Sequence, residues 1–172
     1  VDAVSKQFYL EYRSHYERLK EELDDILELD EKIAQEFESQ TIETSNFAKK
    51  LMGQIVFLYF IQKKGWLGVG KDENGNFKSW GTGPKDFMKR LFVNKDDKYV
   101  EYSNFFNDVL EPLFYHALAH EHDDDYYPAL DCKIPFLNGG LFEPINDYNW
   151  KETDILIDNN LLKDVFTTFD QY

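Results

Sequence analysis

The segment Ile55-Val56-Phe57-Leu58-Tyr59-Phe60-Ile61 sets seven apolar residues in a row. Apolar spacing of three or four continues on both sides, through Phe47 and Leu51 before it and on to Lys63-Lys64-Gly65 after it. That pattern predicts a helix capped by Thr44 or Ser45, with lysines in its last turn and Gly65 in the left-handed position that ends a helix. A seven-residue buried strand is the competing reading, and the flanking helical period favours the helix. A helix that is apolar on every side must be enclosed by others, so it predicts the centre of the core. The uncharged run from Leu51 to Gln62 falls well short of the about 20 apolar residues that cross a bilayer, so no membrane span is expected.

The other elements arrange themselves around this one. Val4, Phe8, Tyr12, Tyr16 (or His15), Leu19, Leu23 and Ile26 recur at helical spacing, predicting an amphipathic helix from Val1 to about Leu29 within a long N-terminal helical region, 1–38. Glu17 with Lys20 and Glu28 with Lys32 are its expected ion pairs. Residues 36–44 read as a polar connector. Residues 44–119 form the expected helical core, with a Gly-rich loop, 65–83, inserted around an Asn74-Gly75 hairpin turn. Pro84 begins a short helix to about Val93, and 94–101 is a charged turn. Ser103 caps a further helix, in which Pro112 predicts a kink near 107–111 or a restart at Glu111. Residues 120–150 read as ordered loop, where Phe136, Leu137, Leu141 and Phe142 anchor a Gly139-Gly140 turn. Asp158 or Asn159 starts the last helix of a C-terminal stretch, 151–172. The fold class expected is all-α, an irregular helical bundle with long ordered loops in a single domain, 1–172.

Composition narrows the function classes. With 33 acidic and 19 basic residues the net charge is −14, so a phosphate backbone meets attraction only at local basic clusters. Aromatic residues reach 17%, enough to fill a core largely with rings. The single cysteine, Cys132, cannot form an internal disulfide, which accords with a cytoplasmic location. The N-terminus lacks an initiator Met and the far end stops among aromatic residues, so a piece of a longer chain is expected.

Several groups could carry chemistry. His116, His120 and His122 precede three aspartates, and His116 with His120 stand one helical turn apart, as in zinc-gripping pairs. The residue after His116 is Ala117, so the glutamate such a hydrolase uses as base is missing. The plainer reading is a helix end whose histidines offset the dipole. Asp131-Cys132-Lys133 and Asp96-Asp97-Lys98 match the acidic-x-Lys tripeptide of Mg²⁺ nucleases, but neither falls on a predicted strand. Asn138-Gly139-Gly140 lacks the following Lys and Ser or Thr of a phosphate loop. Cys132 reads as a small buried thiol. Of the basic clusters, Lys49-Lys50 stands apart, while Lys63, Lys64, Lys85, Lys89 and Arg90 offer an edge for DNA phosphates.

Three strings carry a resemblance: residues 51–67, LMGQIVFLYFIQKKGWL; residues 105–114, FFNDVLEPLF; and residues 134–144, IPFLNGGLFEP. Together and in order they resemble the helical segment of large single-chain type II restriction-modification proteins (IIG-like) that carry an adenine-specific DNA methyltransferase. In that family the segment lies between a nuclease region and the methyltransferase domain. The resemblance spans roughly residues 1–170 and implies S-adenosylmethionine and Mg²⁺ for the parent enzyme, bound outside this segment. The matched positions are scaffold residues. The chain has no Asn-Pro-Pro-aromatic tetrapeptide, and its Gly-Gly pair does not follow an apolar strand. The resemblance therefore implies no catalytic or cofactor residue here, and marks Gly68 to Gly83 as a variable insertion. The expected role is a helical connector that positions the nuclease and methyltransferase parts. Its expected partners are the other domains of the same chain, DNA through the parent enzyme, and a second copy by self-association. The alternatives are a His-based metal-dependent hydrolase and a regulatory protein-binding helical domain.

Overall fold

The computed structural model describes residues 2–93 and 101–172, so the Asp96-Asp97-Lys98 tripeptide and most of the charged 94–101 turn lie outside the described residues. The chain is mostly helical. In order it forms α1 (Ala3–Leu29), α2 (Glu31–Ser39), α3 (Thr44–Lys63) and α4 (Phe87–Val93). Two π-helical stretches follow, Phe106–Leu110 and Pro112–Leu118, then a two-strand antiparallel sheet, β1 (Tyr126–Tyr127) with β2 (Cys132–Lys133), and finally α5 (Asn159–Gln171). The chain divides into two compact units, residues 1–53 with 144–172 and residues 54–143.

In the first unit, α1 is set going by Asp2, whose carboxylate accepts from Ser5 N–H at 2.7 Å. Its buried stripe is His15, Leu19 and Leu23, at the spacing of one helix face. The long N-terminal helical region is cut at Asp30. This residue leaves helical dihedrals at φ −121°, ψ 102°, donates its N–H to Ile26 O, and accepts from Ile33 N–H at 3.2 Å to start α2. An aspartate thus ends one helix and begins the next without glycine or proline, which is why periodicity alone misses the break. Helix then runs on to Ser39 through part of the expected connector. Asn146 holds the turn that follows by donating to the carbonyls of Gln40 and Thr41.

Expected caps and pairs shift in detail. Thr44 spends its hydroxyl on Asp24 (2.5 Å), and the Glu43 carbonyl accepts from Asn46 and Phe47 at the start of α3. On α1 the ion pairs are Arg13 with Glu17 and Lys20 with Asp24, while Arg18 reaches Asp164 on α5 at 2.9 Å. Asp158 caps α5 by accepting from Asn160 N–H. The exposed first half of α1 is met by rings at the far end of α5, with Phe8 5.6 Å from Phe169 and 5.1 Å from Tyr172.

The second unit packs the C-terminal part of α3, α4 and the π-helical stretches around Ile55, Leu58, Ile61, Phe87, Phe105, Phe106 and Phe114, all buried. Two facts correct the expectation of a fully enclosed α3: Val56 is 41% and Phe60 50% exposed. They lie one turn apart on one face, and the Lys64 ammonium sits 5.4 Å from the Phe60 ring centroid. Leu141 is likewise an exposed residue rather than an anchor, whereas Phe142 is buried against Phe57 and Phe114.

The helical run passes Pro112 in π register, with the second π-helical stretch starting at Pro112 directly after Glu111. Glu111 keeps helical dihedrals, and its N–H bonds five residues back to Phe106 O, as Ala119 does to Phe114 O. The wider π turn absorbs a residue that cannot donate and whose ring would strike the carbonyl four positions earlier. At the start Asn104 accepts from Asn107 N–H, and Asp108 accepts from Ser103 and Asn104 N–H. The Asn74-Gly75 hairpin is present, bridged at Lys71 and Phe77, with the Asp72 carboxylate accepting from Asn74 and Asn76 N–H.

Candidate functional site

Between Lys63 and Val93 the chain carries seven basic and three acidic residues, a local positive excess in a molecule of net charge −14. The fold gathers this charge by a crossing of glycines. Gly65 leaves α3 at φ +73°, and its carbonyl accepts from Gly81 (3.1 Å) and Gly83 (2.9 Å) N–H. A Cβ on Gly65 would stand 2.3 Å from Gly81 O and 2.8 Å from Lys85 Nζ. Only glycine allows the two arms of the loop so close. The Lys85 ammonium therefore rests against the end of α3 beside Lys64, where the helix carbonyls favour a cation.

Of the expected DNA-contact residues, Lys63 and Lys64 stand at the end of α3, the Lys85 ammonium lies against Gly65, and Lys89 and Arg90 stand on α4. Lys63, Lys64, Lys85 and Lys89 are exposed, and Arg90 is half-buried with its Nε donating to Asp86 Oδ1 at 2.7 Å. Sequence reading missed three further lysines. Lys71 Nζ lies 5.0 Å from the Phe77 ring centroid and 5.2 Å from that of Tyr126. Lys133 Nζ lies 4.2 Å from the Trp80 ring, and Lys78 sits between Phe77 and Trp80 in the chain. The signal was available: lysines alternating with aromatic residues about a hairpin turn form cation–π ladders that hold long side chains in place. Tyr126 is fixed in turn by donating its hydroxyl to Asp131 (2.7 Å), which raises its own pKa.

The histidine cluster has a different use. His122 Nε2 donates to the carbonyls of His116 (3.1 Å) and Ala117 (3.2 Å), closing the open end of the second π-helical stretch. His116 stacks edge-on to His122 at 5.1 Å and tilts against Tyr127 at 5.9 Å, and His120 is 6.5 Å from His116. These rings pack together and cap a helix end. Among the described residues, no three His, Cys, Asp or Glu side chains are placed to hold a metal ion. In the Asp131-Cys132-Lys133 tripeptide, Asp131 receives the Tyr126 hydroxyl, Cys132 is buried and Lys133 covers Trp80. Residues for a Mg²⁺ centre do not come together there.

Asn138-Gly139-Gly140 is a surface turn, with both glycines at positive φ and Asn138 Oδ1 accepting from Gly139 N–H. It does not fit S-adenosylmethionine, since no strand leads into it and no helix opens after it. Its structural tie is Gln54 on α3, whose Nε2 donates to the Leu141 carbonyl at 2.9 Å. Among the described residues, no helix is long and apolar enough to cross a membrane.

Compared with known proteins, the chain is 27% identical over 139 residues to a protein of Methanocaldococcus jannaschii named "putative type II restriction enzyme and methyltransferase". The match covers 76% of this chain and 10% of that relative, so the chain spans about a tenth of the relative's length. No protein-family model and no solved structure matches. The likeness relates the chain, at a distance, to a restriction-modification protein.

Proposed function

We propose that the chain is a helical connector of a single-chain, IIG-like restriction-modification enzyme with an adenine-specific methyltransferase. In this reading it positions the nuclease and methyltransferase parts and touches duplex DNA through Lys63, Lys64, Lys85, Lys89 and Arg90. The observation that carries the reading is the match to a restriction-modification protein over three quarters of this chain and a tenth of that relative. S-adenosylmethionine and Mg²⁺ belong to the other parts of the enzyme, which works in the cytoplasm. The cluster of five cations is assigned to the DNA backbone, where Lys and Arg contacts to phosphate oxygens position a protein without reading sequence.

Two measurements test it. Duplex DNA titrated by fluorescence anisotropy should bind weakly at low salt, with log K falling linearly against log salt, and the triple variant Lys63→Ala, Lys64→Ala, Lys85→Ala should flatten that slope. Absence of binding at the lowest salt sinks the DNA contact. The connector role stands or falls on the adjoining coding sequence. A Gly-rich strand-loop-helix and an Asn-Pro-Pro-aromatic tetrapeptide downstream support it, and an unrelated neighbour overturns it.

A further inference from the structure

Beside the basic edge, a polar cavity of about 520 Å³ opens between residues 68–71 and the 82–90 segment. Its lining includes Gly70, Lys71, Lys78, Thr82, Arg90 and Asp131, three cations to one acid. Two of the cations are held in place. Lys71 rests its ammonium against the adjoining Phe77 and Tyr126 rings, and Arg90 is tethered by Asp86. Asp131 accepts the Tyr126 hydroxyl on Oδ1, and Thr82 donates its hydroxyl to Ser79 O. A cavity lined by two ammonium groups and a guanidinium favours a compact oxyanion with several acceptor oxygens, and the ordering of Lys71 and Arg90 leaves less side-chain freedom to be lost on binding.

We propose that this cavity is a phosphate site which, in the connector reading it rests on, seats one backbone phosphate of the bound DNA. It extends the DNA contact from the exposed lysines of α3 and α4 to a recessed point that fixes register along the strand. Gly70 provides the clean probe. A Cβ added there meets nothing within 4 Å, and its φ is not in the left-handed region, so Gly70→Leu fills the cavity without straining the backbone.

The test uses the intact chain with two probes, inorganic phosphate and a short DNA duplex. Inorganic phosphate should raise the thermal midpoint saturably, beyond an equal ionic strength of chloride, and Gly70→Leu and Lys78→Ala should each abolish the shift. The same variants should lower DNA affinity and reduce the slope of log K against log salt by about 1, the change expected when a single backbone phosphate is no longer neutralised. No phosphate-specific shift, or one that persists in Gly70→Leu, overturns the site. A shift abolished in Gly70→Leu with DNA affinity unmoved overturns the backbone assignment, leaving free phosphate as the ligand. Failure of the whole DNA reading is a different result, since the wild-type chain would then bind no duplex while the phosphate arm is read independently.

Discussion

At His15 the interior of the first unit holds an imidazole with one satisfied nitrogen. Nε2 is 2.8 Å from Thr168 Oγ1, while Nδ1 is buried without a hydrogen-bond partner. Burial lowers its pKa below the ordinary 6.5, the nearby Arg18 guanidinium adds to this, and Asp164 and Glu11 act against it. The unfolded chain thus takes up a proton near pH 6.5 that the folded chain resists. The neutral-His contribution is fully present above about pH 6.5 and is lost as the pH falls through that value toward the lower folded pKa. Thermal midpoints measured from about pH 7.5 down to about pH 5 should fall, and His15→Gln should flatten that part of the curve. A wild-type curve that matches the variant's refutes the assignment. Two glycines give a second residue-level contrast. Gly68 and Gly75 both have positive φ, but a Cβ on Gly68 would lie 2.4 Å from the Phe87 ring and one on Gly75 meets nothing within 4 Å. Gly75→Ala should cost about 1 kcal/mol of backbone strain. Gly68→Ala adds overpacking and should cost about 2 kcal/mol or more, as read by urea denaturation.

Among the elements, α3 shows what sequence could and could not convey. Its helical period, its lysine-rich last turn and the glycine that ends it were legible, because each depends on nearest neighbours along the chain. The assignment of sides was not. Seven apolar residues in a row imply burial all round, yet Val56 and Phe60 face outward and the polar Gln54 and Gln62 face inward. Those glutamines are chosen for distant backbone: Gln54 for the Leu141 carbonyl, Gln62 for the Met88 N–H at 2.7 Å. No local pattern reveals a partner 26 or 87 residues away. The same reasoning covers Asp30, where an ordinary acidic residue divides two helices, and Pro112, which opens a second π-helical stretch. The lysine–aromatic ladder was written in the sequence but becomes a site only once the hairpin meets β2. Gln62→Leu tests the inward glutamine. It keeps the side-chain bulk but strands a buried N–H at the start of α4, so stability should drop by about 1–3 kcal/mol. An unchanged denaturation midpoint would show that this N–H finds another acceptor.

For the whole molecule, two opposed forces act on association. Val56 and Phe60 present large apolar side chains one helical turn apart on α3, with Phe57 between them and its ring 5.6 Å from that of Phe60. Exposed apolar faces of this kind mark contact surfaces. Against them stands a net charge of −14, which makes two copies repel. Salt separates the effects. The Debye length is about 10 Å at 0.1 M and about 3 Å at 1 M, so added salt removes the repulsion and leaves apolar burial unweakened. Self-association should therefore be concentration-dependent and should strengthen with salt, the opposite of the DNA contact, which weakens as counterions compete for phosphates. Phe60→Lys places a charge in the centre of the face and should return the protein to monomer at every salt concentration. Sedimentation velocity at low and high salt, with the wild type and this variant, reads both trends. A wild-type protein that stays monomeric at high salt and high concentration would show that Val56 and Phe60 are too small a face to bring two copies together.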